Sequence, residues 1–237
     1  MPSWLPARAP TGRPASTRSL RPRGEDMANR LLDAGRRAFW ARGYEGTRVD
    51  DVVALAGASH GTFYLYFRNK EDLLHRLAIA CAGDLRALAG RLEALDRPPP
   101  PDDLAEWIDA FVASYHRNGP VVRVWLERRD LDPLMQDLAN DVLGRLAAAL
   151  GRLVDPGVAA ALDPGLARLG LLAMVERLTA YLETSRGQLD RAAVVATLGR
   201  LVQGLTVPPG SGGNAPRPRP APPRPPVSGE GPGSGRR

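Results

Sequence analysis

Apolar residues recur at helical spacing along most of this chain, and no segment alternates apolar and polar positions for the length of a convincing β-strand. Residues 49–56 place valine and alanine at the i, i+3, i+4 and i+7 positions of one short helix. A longer stripe, mostly of leucines, begins at Leu74 and ends at Leu92. A helix of roughly 25 residues from Lys70 would be about 37 Å long. The pattern predicts an all-α fold.

Turn and cap residues divide this pattern into separate helices. A first helix ends at Gly43, because glycine is a common C-terminal stop. Thr47 with Asp50 three positions later has the pattern of a capping box for the second helix, and Asn69 is the predicted N-cap of the fourth. Aspartate-proline pairs mark two later starts. After the fourth helix the predicted spans are 102–117, 120–129, 133–154, 164–185 and 189–206.

The turn between the second and third helices contains a glycine. It has the sequence Ala56-Gly57-Ala58-Ser59, and the third helix is predicted over residues 59–67. Glycine accepts a positive φ, which lets the chain reverse sharply between two packed helices. Three short helices with such a turn form a helix-turn-helix pattern. We therefore predict a helix-turn-helix domain over residues 25–76 and a larger helical domain over residues 77–207, which we call the rear domain.

The composition changes at both ends of the chain. Residues 1–24 contain five arginines and no acid, and residues 208–237 are rich in proline, glycine and arginine. Such segments bury too little apolar surface to fold, so both are expected to be disordered, with non-specific attraction to phosphate as the alternative role. They supply the net charge of +6, since the middle of the chain has 22 basic and 25 acidic residues. Met27 lies where the helical pattern begins, which leaves open whether residues 1–26 belong to the native protein.

Aromatic residues are concentrated around the predicted third helix. Four of the thirteen residues from Ala58 to Lys70 are Phe or Tyr. Phe63 and Phe67 are four apart and are expected to face the core. The outward residues carry groups that bond to phosphates and base edges in a DNA major groove, which admits an α-helix. These residues are His60, Gly61, Thr62, Tyr64 and Tyr66, with Thr47 and Lys70 as phosphate donors at two helix starts.

Two of these outward residues have competing interpretations. For His60 the alternative is an exposed side chain that forms hydrogen bonds only with water. Tyr66 is large enough to pack partly against the first helix instead of facing DNA.

The run GYEGTRVDDVVALAGASHGTFYLYFRNKEDLL resembles the signature of the TetR family of bacterial transcriptional repressors. The family's motif groups appear in order as Phe39, Gly43-Tyr44, Thr47, Ala56-Gly57-Ala58-Ser59, Gly61-Thr62-Phe63-Tyr64, Tyr66-Phe67 and Lys70-Glu71-Asp72-Leu73. Ala58 stands where valine is usual, and His60 occupies a variable position, so no operator sequence is implied. The resemblance implies a DNA-reading role for Thr47, His60, Gly61, Thr62, Tyr64, Tyr66 and Lys70.

The resemblance also implies a homodimer on a palindromic double-stranded DNA operator, and an unknown small-molecule effector bound in the rear domain. The last two predicted helices carry leucine and valine stripes that suit a four-helix interface between two copies. Bulky side chains of the rear domain are candidate liners of an apolar effector pocket, with ordinary core packing as the alternative for each. They are Trp107, Phe111, Tyr115, Trp125, Met135, Met174 and Tyr181.

Sequence motifs for other functions are missing. No Gly-x-Ser-x-Gly, phosphate loop or dinucleotide fingerprint occurs, so we expect neither an enzyme nor a cofactor. The three histidines fall on different predicted helices, and His75 and Cys81 are six residues apart, a poor metal pair, so no metal site is expected. A non-enzymatic helical scaffold is the competing function, although a scaffold does not require Tyr64 and Lys70 at their spacing.

The expected location is the cytoplasm of a bacterium, at the nucleoid. No run of about 18 apolar residues predicts a membrane span, and the N-terminus lacks the apolar segment of a secretory signal. A single cysteine fits a reducing compartment.

Overall fold

The computed structural model describes residues 22–127, 130, 132–185 and 187–207, with side chains from Glu25 onward. The helices are α1 (Pro22–Gly46), α2 (Val49–Ala56), α3 (His60–Tyr66), α4 (Lys70–Glu93), α5 (Pro101–Glu127), α6 (Pro133–Leu153), α7 (Pro156–Ala159), α8 (Pro164–Thr184) and α9 (Arg191–Thr206). No strand occurs within these ranges, so the all-α prediction is confirmed. The predicted tails lie outside the described residues, except that residues 22–24 belong to α1.

The front domain, α1 to α3, packs around one apolar centre. Phe39 of α1, Val52 of α2 and Phe63 of α3 are all buried. Phe67 is buried beside Phe63 with ring centroids 5.5 Å apart, which confirms the predicted inward orientation of both rings. Gly43 has φ 71° and ψ 167°, a conformation that glycine adopts without steric cost, and regular helical geometry is interrupted there.

The start of α2 differs from the predicted Thr47–Asp50 capping box. Arg48 is the N-cap, and its backbone N–H donates to Oδ2 of Asp51 at 2.8 Å. This is one half of a capping box, shifted by one residue, because the arginine side chain has no acceptor for the other half. Thr47 is only 1% exposed, and its Oγ1 lies 2.7 Å from the carbonyl oxygen of Gly43. The threonine hydroxyl therefore satisfies carbonyl groups left open at the end of α1.

Helix α4 begins as predicted and joins the front domain to the rear one. Oδ1 of Asn69 accepts the backbone N–H of Asp72 at 2.8 Å, and Oδ2 of Asp72 accepts the backbone N–H of Arg68 at 3.0 Å. The stripe from Leu74 to Leu92 is buried against α1, α5 and α6. One continuous helix thus runs from the front domain into the centre of the rear domain.

Helix α5 corrects the prediction of two helices over 102–117 and 120–129. It is a single helix that contains Pro120. Proline has no N–H, so the carbonyl of His116, four residues earlier, loses its helical hydrogen bond. The indole Nε1 of Trp40, in α1, donates to that oxygen at 2.9 Å. This bond from the front domain offsets part of the cost of continuing the helix through proline.

Gly119 makes room for the same tryptophan ring. A Cβ at this position would lie 2.6 Å from Cζ2 and 2.7 Å from Cη2 of Trp40. The guanidinium carbon of Arg123 lies 5.2 Å from the ring centroid, within cation–π range. We name Trp40, His116, Gly119 and Pro120 the tryptophan notch. It fixes α1 to α5 and so joins the two domains at a second place besides α4.

Helices α6, α8 and α9 complete the rear domain. α6 packs against α4 and α8, and α9 packs against α5 and α8. The aspartates of both predicted Asp-Pro starts, Asp132 and Asp163, cap their helices by accepting a backbone N–H. None of the described helices is long and apolar enough to cross a bilayer.

Candidate nucleic-acid interface and effector cavity

The turn between α2 and α3 has the geometry that its sequence predicts. Gly57 ends α2 in the left-handed conformation, with φ 60° and ψ 41°. Ser59 then caps α3, because its Oγ accepts the backbone N–H of Thr62 at 3.0 Å. Arg30 of α1 donates to the carbonyl oxygen of Ala56 at 2.5 Å and closes the end of α2. These contacts fix the direction of α3 relative to the rest of the front domain.

Helix α3 has one buried face and one exposed face. Phe63 faces the core, while Tyr64 is 52% and Leu65 is 65% exposed. His60 and Gly61 are exposed as well. We name the exposed residues His60, Gly61, Tyr64 and Leu65 the α3 face. Leu65 was not singled out from the sequence, although the predicted inward orientation of Phe63 and Phe67 already places it on the opposite side of the helix.

The other proposed reading residues of α3 are half-buried. Oγ1 of Thr62 lies 2.9 Å from Oγ of Ser59, but a hydroxyl keeps further capacity to accept or donate. Tyr66 packs against the core cluster. The competing interpretation of Tyr66, packing within the front domain, therefore matches its position.

His60 has a protein partner on the neighbouring helix. Its Nε2 lies 2.5 Å from Oδ1 of Asp50, and both side chains are more than half exposed. An imidazole held by a carboxylate is restricted in direction, so α2 helps to orient a side chain of the α3 face. In this geometry the outer rim of His60 remains open to solvent.

Thr47 and Lys70, the two predicted phosphate donors, already have partners within the chain. The buried hydroxyl of Thr47 is bound to backbone carbonyls of α1, so this side chain is not available to contact DNA. Nζ of Lys70 donates to the carbonyl oxygens of Tyr44 at 2.7 Å and of Glu45 at 3.4 Å, and it lies 4.3 Å from the centroid of the Tyr44 ring. The ammonium group has three protons, so it retains one for an external acceptor while it ties α4 to the end of α1.

Two exposed arginines lie next to the starts of α2 and α4 and were missed from the sequence. Arg48 is the N-cap of α2, and Arg68 lies between α3 and α4. The side chain of Arg68 is 70% exposed and only loosely paired, with Nε 3.5 Å from Oδ2 of Asp72. Their position next to helix starts was a usable signal, since free backbone N–H groups at such ends favour anions.

The rear domain contains a cavity of about 640 Å³, bounded by α4, α5, α6 and α8. This volume is within the range of small-molecule sites. Three of the seven predicted liners, Phe111, Tyr115 and Met174, line it. Most of the wall is aliphatic, and its remaining residues are Leu85, Ser114, Asn118, Val122, Leu126, Leu143, Leu146, Leu169, Gly170, Leu172, Ala173, Glu176 and Arg177.

The other four predicted liners do not border this cavity. Trp107 is buried and its Nε1 donates to the carbonyl oxygen of Leu88 at 2.8 Å, so it is a core residue. Trp125 and Met135 are buried away from the cavity, while Tyr181 is 56% exposed on α8. Residue type alone does not separate wall from core, because both environments select large apolar side chains.

One side of the cavity is polar. The hydroxyl of Tyr115 donates to Oε1 of Glu176 at 2.9 Å, and burial, together with this carboxylate, raises the pKa of Tyr115 well above its usual range. The phenol therefore stays protonated and acts as a donor. Nδ2 of Asn118 lies 2.8 Å from Oδ2 of Asp84 and 3.3 Å from Oγ of Ser114. A mainly apolar ligand with a polar group would find hydrogen-bonding partners at this wall.

Each histidine has a carboxylate partner, which was not foreseen from the sequence. His60 pairs with Asp50, His116 with Glu183 at 2.8 Å, and His75 with Asp132 at 2.8 Å. Partial burial opposes ionisation of Asp132, but hydrogen bonds from His75 and a backbone N–H outweigh it and lower the pKa of this carboxyl. Glu71 lies near the last pair, so His75 has two carboxylates at ligand spacing that the comparison with Cys81 alone did not reveal.

Cys81, in contrast, is fully buried on the α4 stripe. Burial, and then the nearby Asp84, raise the pKa of its thiol far above the usual range. A thiol in this environment is inert.

A helix-turn-helix with an exposed α3 face, followed by a helical domain that contains a cavity, is the arrangement expected of a DNA-binding regulator with a separate ligand-sized site. Residues 31–77 match the sequence profile of the bacterial regulatory proteins of the tetR family. This match assigns residues 31–77 to the DNA-binding domain of that family.

Relatives and solved structures are similar to this chain over longer stretches. The HTH-type transcriptional regulator EthR of Mycolicibacterium smegmatis is 28% identical over 146 residues, which is 61% of this chain and 66% of that protein. A tetR-family regulatory protein from Rhodococcus has the same fold, with a TM-score of 0.58 and 22% identity over 76% of this chain and 96% of that one. FadR of Bacillus subtilis, solved in complex with stearoyl-CoA, gives a TM-score of 0.54 and 20% identity over 73% and 96%.

Proposed function

We propose that this regulator binds a palindromic DNA operator as a homodimer and represses transcription, and that a small, mainly apolar molecule in the rear cavity releases it. The regulator would act at the nucleoid, in the cytoplasm of a bacterium. The observation that carries the proposal is the α3 face, which is held rigidly and left exposed on the front domain.

Gly61 supports the DNA-binding role. It lies in the first turn of α3 with no positive φ, and the atom nearest to a Cβ added there would be Oγ of Ser59 at 3.7 Å, an ordinary contact. Nothing within the described part of the chain therefore requires glycine here, although glycine weakens a helix. A close approach of the α3 backbone to DNA would explain why glycine occupies this position. Tyr64, one turn later, offers a hydroxyl on the same side.

The exposed apolar side chains of α8 and α9 support the homodimer. Leu166 is 70% exposed, and Leu169, Tyr181 and Leu201 are also largely exposed. A large apolar patch on a soluble chain marks an interaction surface. A second copy is the occupant that suits the proposed function, because a two-fold dimer places two α3 helices for half-sites about 34–36 Å apart on one side of the duplex.

The cavity supports control by a small molecule. FadR was solved with stearoyl-CoA, and another structure with the same fold, at 23% identity and a TM-score of 0.55, is described as a γ-butyrolactone receptor. The cavity of this chain is largely apolar with the Tyr115–Glu176 pair on one wall. We infer an effector of the same general kind, with an apolar body and a polar group that accepts or donates hydrogen bonds.

The tryptophan notch offers a route from the cavity to the front domain. Tyr115 and Asn118 line the cavity on α5, and His116 and Gly119 of the same turn hold Trp40 of α1. A ligand that shifts this turn of α5 moves its contact with α1. The effector needs to favour the released arrangement by only a few kcal/mol to change operator occupancy substantially.

Selection from a random double-stranded DNA library with the full chain tests the proposed function. We expect enrichment of a palindrome with two half-sites about one helical turn apart. Tyr64→Ala is expected to lose retention of that DNA at physiological salt, while circular dichroism and sedimentation show an unchanged helical dimer. Tyr64→Phe, which keeps the ring and removes the hydroxyl, separates the hydrogen bond from the packing of the side chain.

The competing function is a helical scaffold without enzymatic activity. It would show no enriched DNA, or equal retention of the DNA by Tyr64→Ala and by the unaltered chain. Either result would contradict the DNA-binding proposal.

A further inference from the structure

We propose that Glu71, His75 and Asp132 form a binding site for a divalent transition-metal ion, with Zn²⁺ as its representative, that links the start of α4 to the start of α6. The site lies away from the effector cavity, and none of its residues belongs to the α3 face. The inference does not depend on the proposed DNA or effector binding.

The backbone places the three side chains together. Glu71 and His75 are four residues apart in α4, so they lie one above the other on the same side of that helix. Asp132 is the N-cap of α6, and its Oδ2 is 2.8 Å from Nε2 of His75. One potential ligand atom from each of the three residues lies within 4.8 Å of the others.

These distances are close to those of a bound metal. Zn²⁺ lies about 2.0–2.2 Å from nitrogen and oxygen ligands, so two ligand atoms on one ion are at most about 4.2 Å apart. Glu71 is exposed and can move inward to close the remaining gap. The ion would replace the direct hydrogen bond between His75 and Asp132, and these two side chains would move slightly apart to make room for it.

Asp132 is the best-positioned of the three ligands. Its Oδ1 accepts the backbone N–H of Met135 as the N-cap of α6 at 3.2 Å, which orients the carboxylate. Oδ2 is then directed at His75. Such outer contacts hold ligands in place in metal sites generally. The side chains of His75 and Asp132 are 22% and 33% exposed, so an ion can enter and open coordination positions can be filled by water.

The donor set selects the class of metal. One imidazole nitrogen with two carboxylates suits Zn²⁺ and related transition-metal ions, whereas Mg²⁺ prefers oxygen ligands alone and keeps most of its water. An ion held here would connect α4, which leaves the front domain, with α6 of the rear domain. It would restrict the motion of α4 relative to α6.

Isothermal titration of the tag-free full chain, after treatment with EDTA, tests the site. We expect saturable binding of one Zn²⁺ per chain and no comparable binding of Mg²⁺. Co²⁺ is expected to give visible absorption bands that are altered by His75→Ala, which a purely structural role of His75 would not produce. Absence of saturable Zn²⁺ binding would overturn the proposal.

Matched variants locate the binding. Glu71→Gln changes an exposed side chain and is expected to weaken Zn²⁺ binding by about tenfold or more without loss of helical content. His75→Ala is expected to abolish it. His116→Ala is the control, because His116 forms a comparable pair with Glu183 but has no third ligand within the described residues. Unchanged binding in both Glu71→Gln and His75→Ala, or its loss in His116→Ala, would refute the assignment.

Discussion

Gly61→Ala is expected to stabilise the folded chain and weaken DNA binding at the same time. The new Cβ meets only Oγ of Ser59, at 3.7 Å, so the folded state accepts it. Replacing glycine by alanine in a helix should raise the free energy of unfolding by about 0.5–1 kcal/mol. The same methyl group keeps the α3 backbone from the DNA, which should cost about 1–3 kcal/mol of binding free energy, the size of one lost groove contact.

Urea unfolding and titration of the selected operator measure the two effects separately. Gly144→Ala is the matched control, since Gly144 is exposed in the interior of α6 and a Cβ there has no neighbour within 4 Å. The control should gain similar stability and keep the affinity for DNA. Equal DNA affinity of Gly61→Ala and the unaltered chain would contradict close contact between α3 and the operator.

Gly119→Ala is expected to destabilise the chain through Trp40. Its Cβ would lie 2.6 Å from the indole ring, a distance that forces the ring or the α5 backbone to move. Overpacking of this kind costs about 1–3 kcal/mol. Because the notch joins the two domains, we also expect the melting transition to broaden and operator affinity to fall.

A double-mutant cycle with Trp40→Phe isolates the contact. Trp40→Phe alone removes the hydrogen bond to the carbonyl of His116, at a cost of about 0.5–1.5 kcal/mol, because water can reach this exposed oxygen. The smaller ring gives room to the alanine, so the combined variant should be more stable than the sum of the single losses by about 0.5 kcal/mol or more. Strict additivity of the two unfolding free energies would rule out the steric account.

Local features of the fold could be predicted from the sequence because their causes are local. Gly57 in the left-handed conformation, Ser59 as a cap and Asn69 with Asp72 three positions later all act within a few residues. The buried stripe of α4 follows from spacing alone. The error at Thr47 has a similar origin, because a threonine before a helix is an ordinary cap unless the preceding helix needs its hydroxyl.

Features that depend on distant residues could not be predicted. α5 continues through Pro120, and Trp40, far away in sequence, donates to the carbonyl that proline leaves without its helical partner. The sequence shows that Pro120 removes one helical hydrogen bond, but it does not show that Trp40 supplies the replacement donor.

The cavity and the histidine pairs show the same limit. The cavity wall combines residues from four helices, so Trp107 and Met135 were indistinguishable in sequence from Phe111 and Met174. Part of the proposed metal site was nevertheless readable, since Glu71 and His75 share one helix face. The third ligand, Asp132, is 57 residues beyond His75 and is brought to it only by packing of α6 on α4.

The central claim is that the exposed side of α3 contacts duplex DNA, and site-specific photo-cross-linking measures that contact directly. A photoreactive phenylalanine analogue would replace Leu65 on α3, which is 65% exposed, or Leu134 on α6, which is 45% exposed. With the selected operator bound, we expect irradiation to join position 65 to DNA and to leave position 134 unlinked. Cross-links from position 134 but not from position 65 would contradict the account.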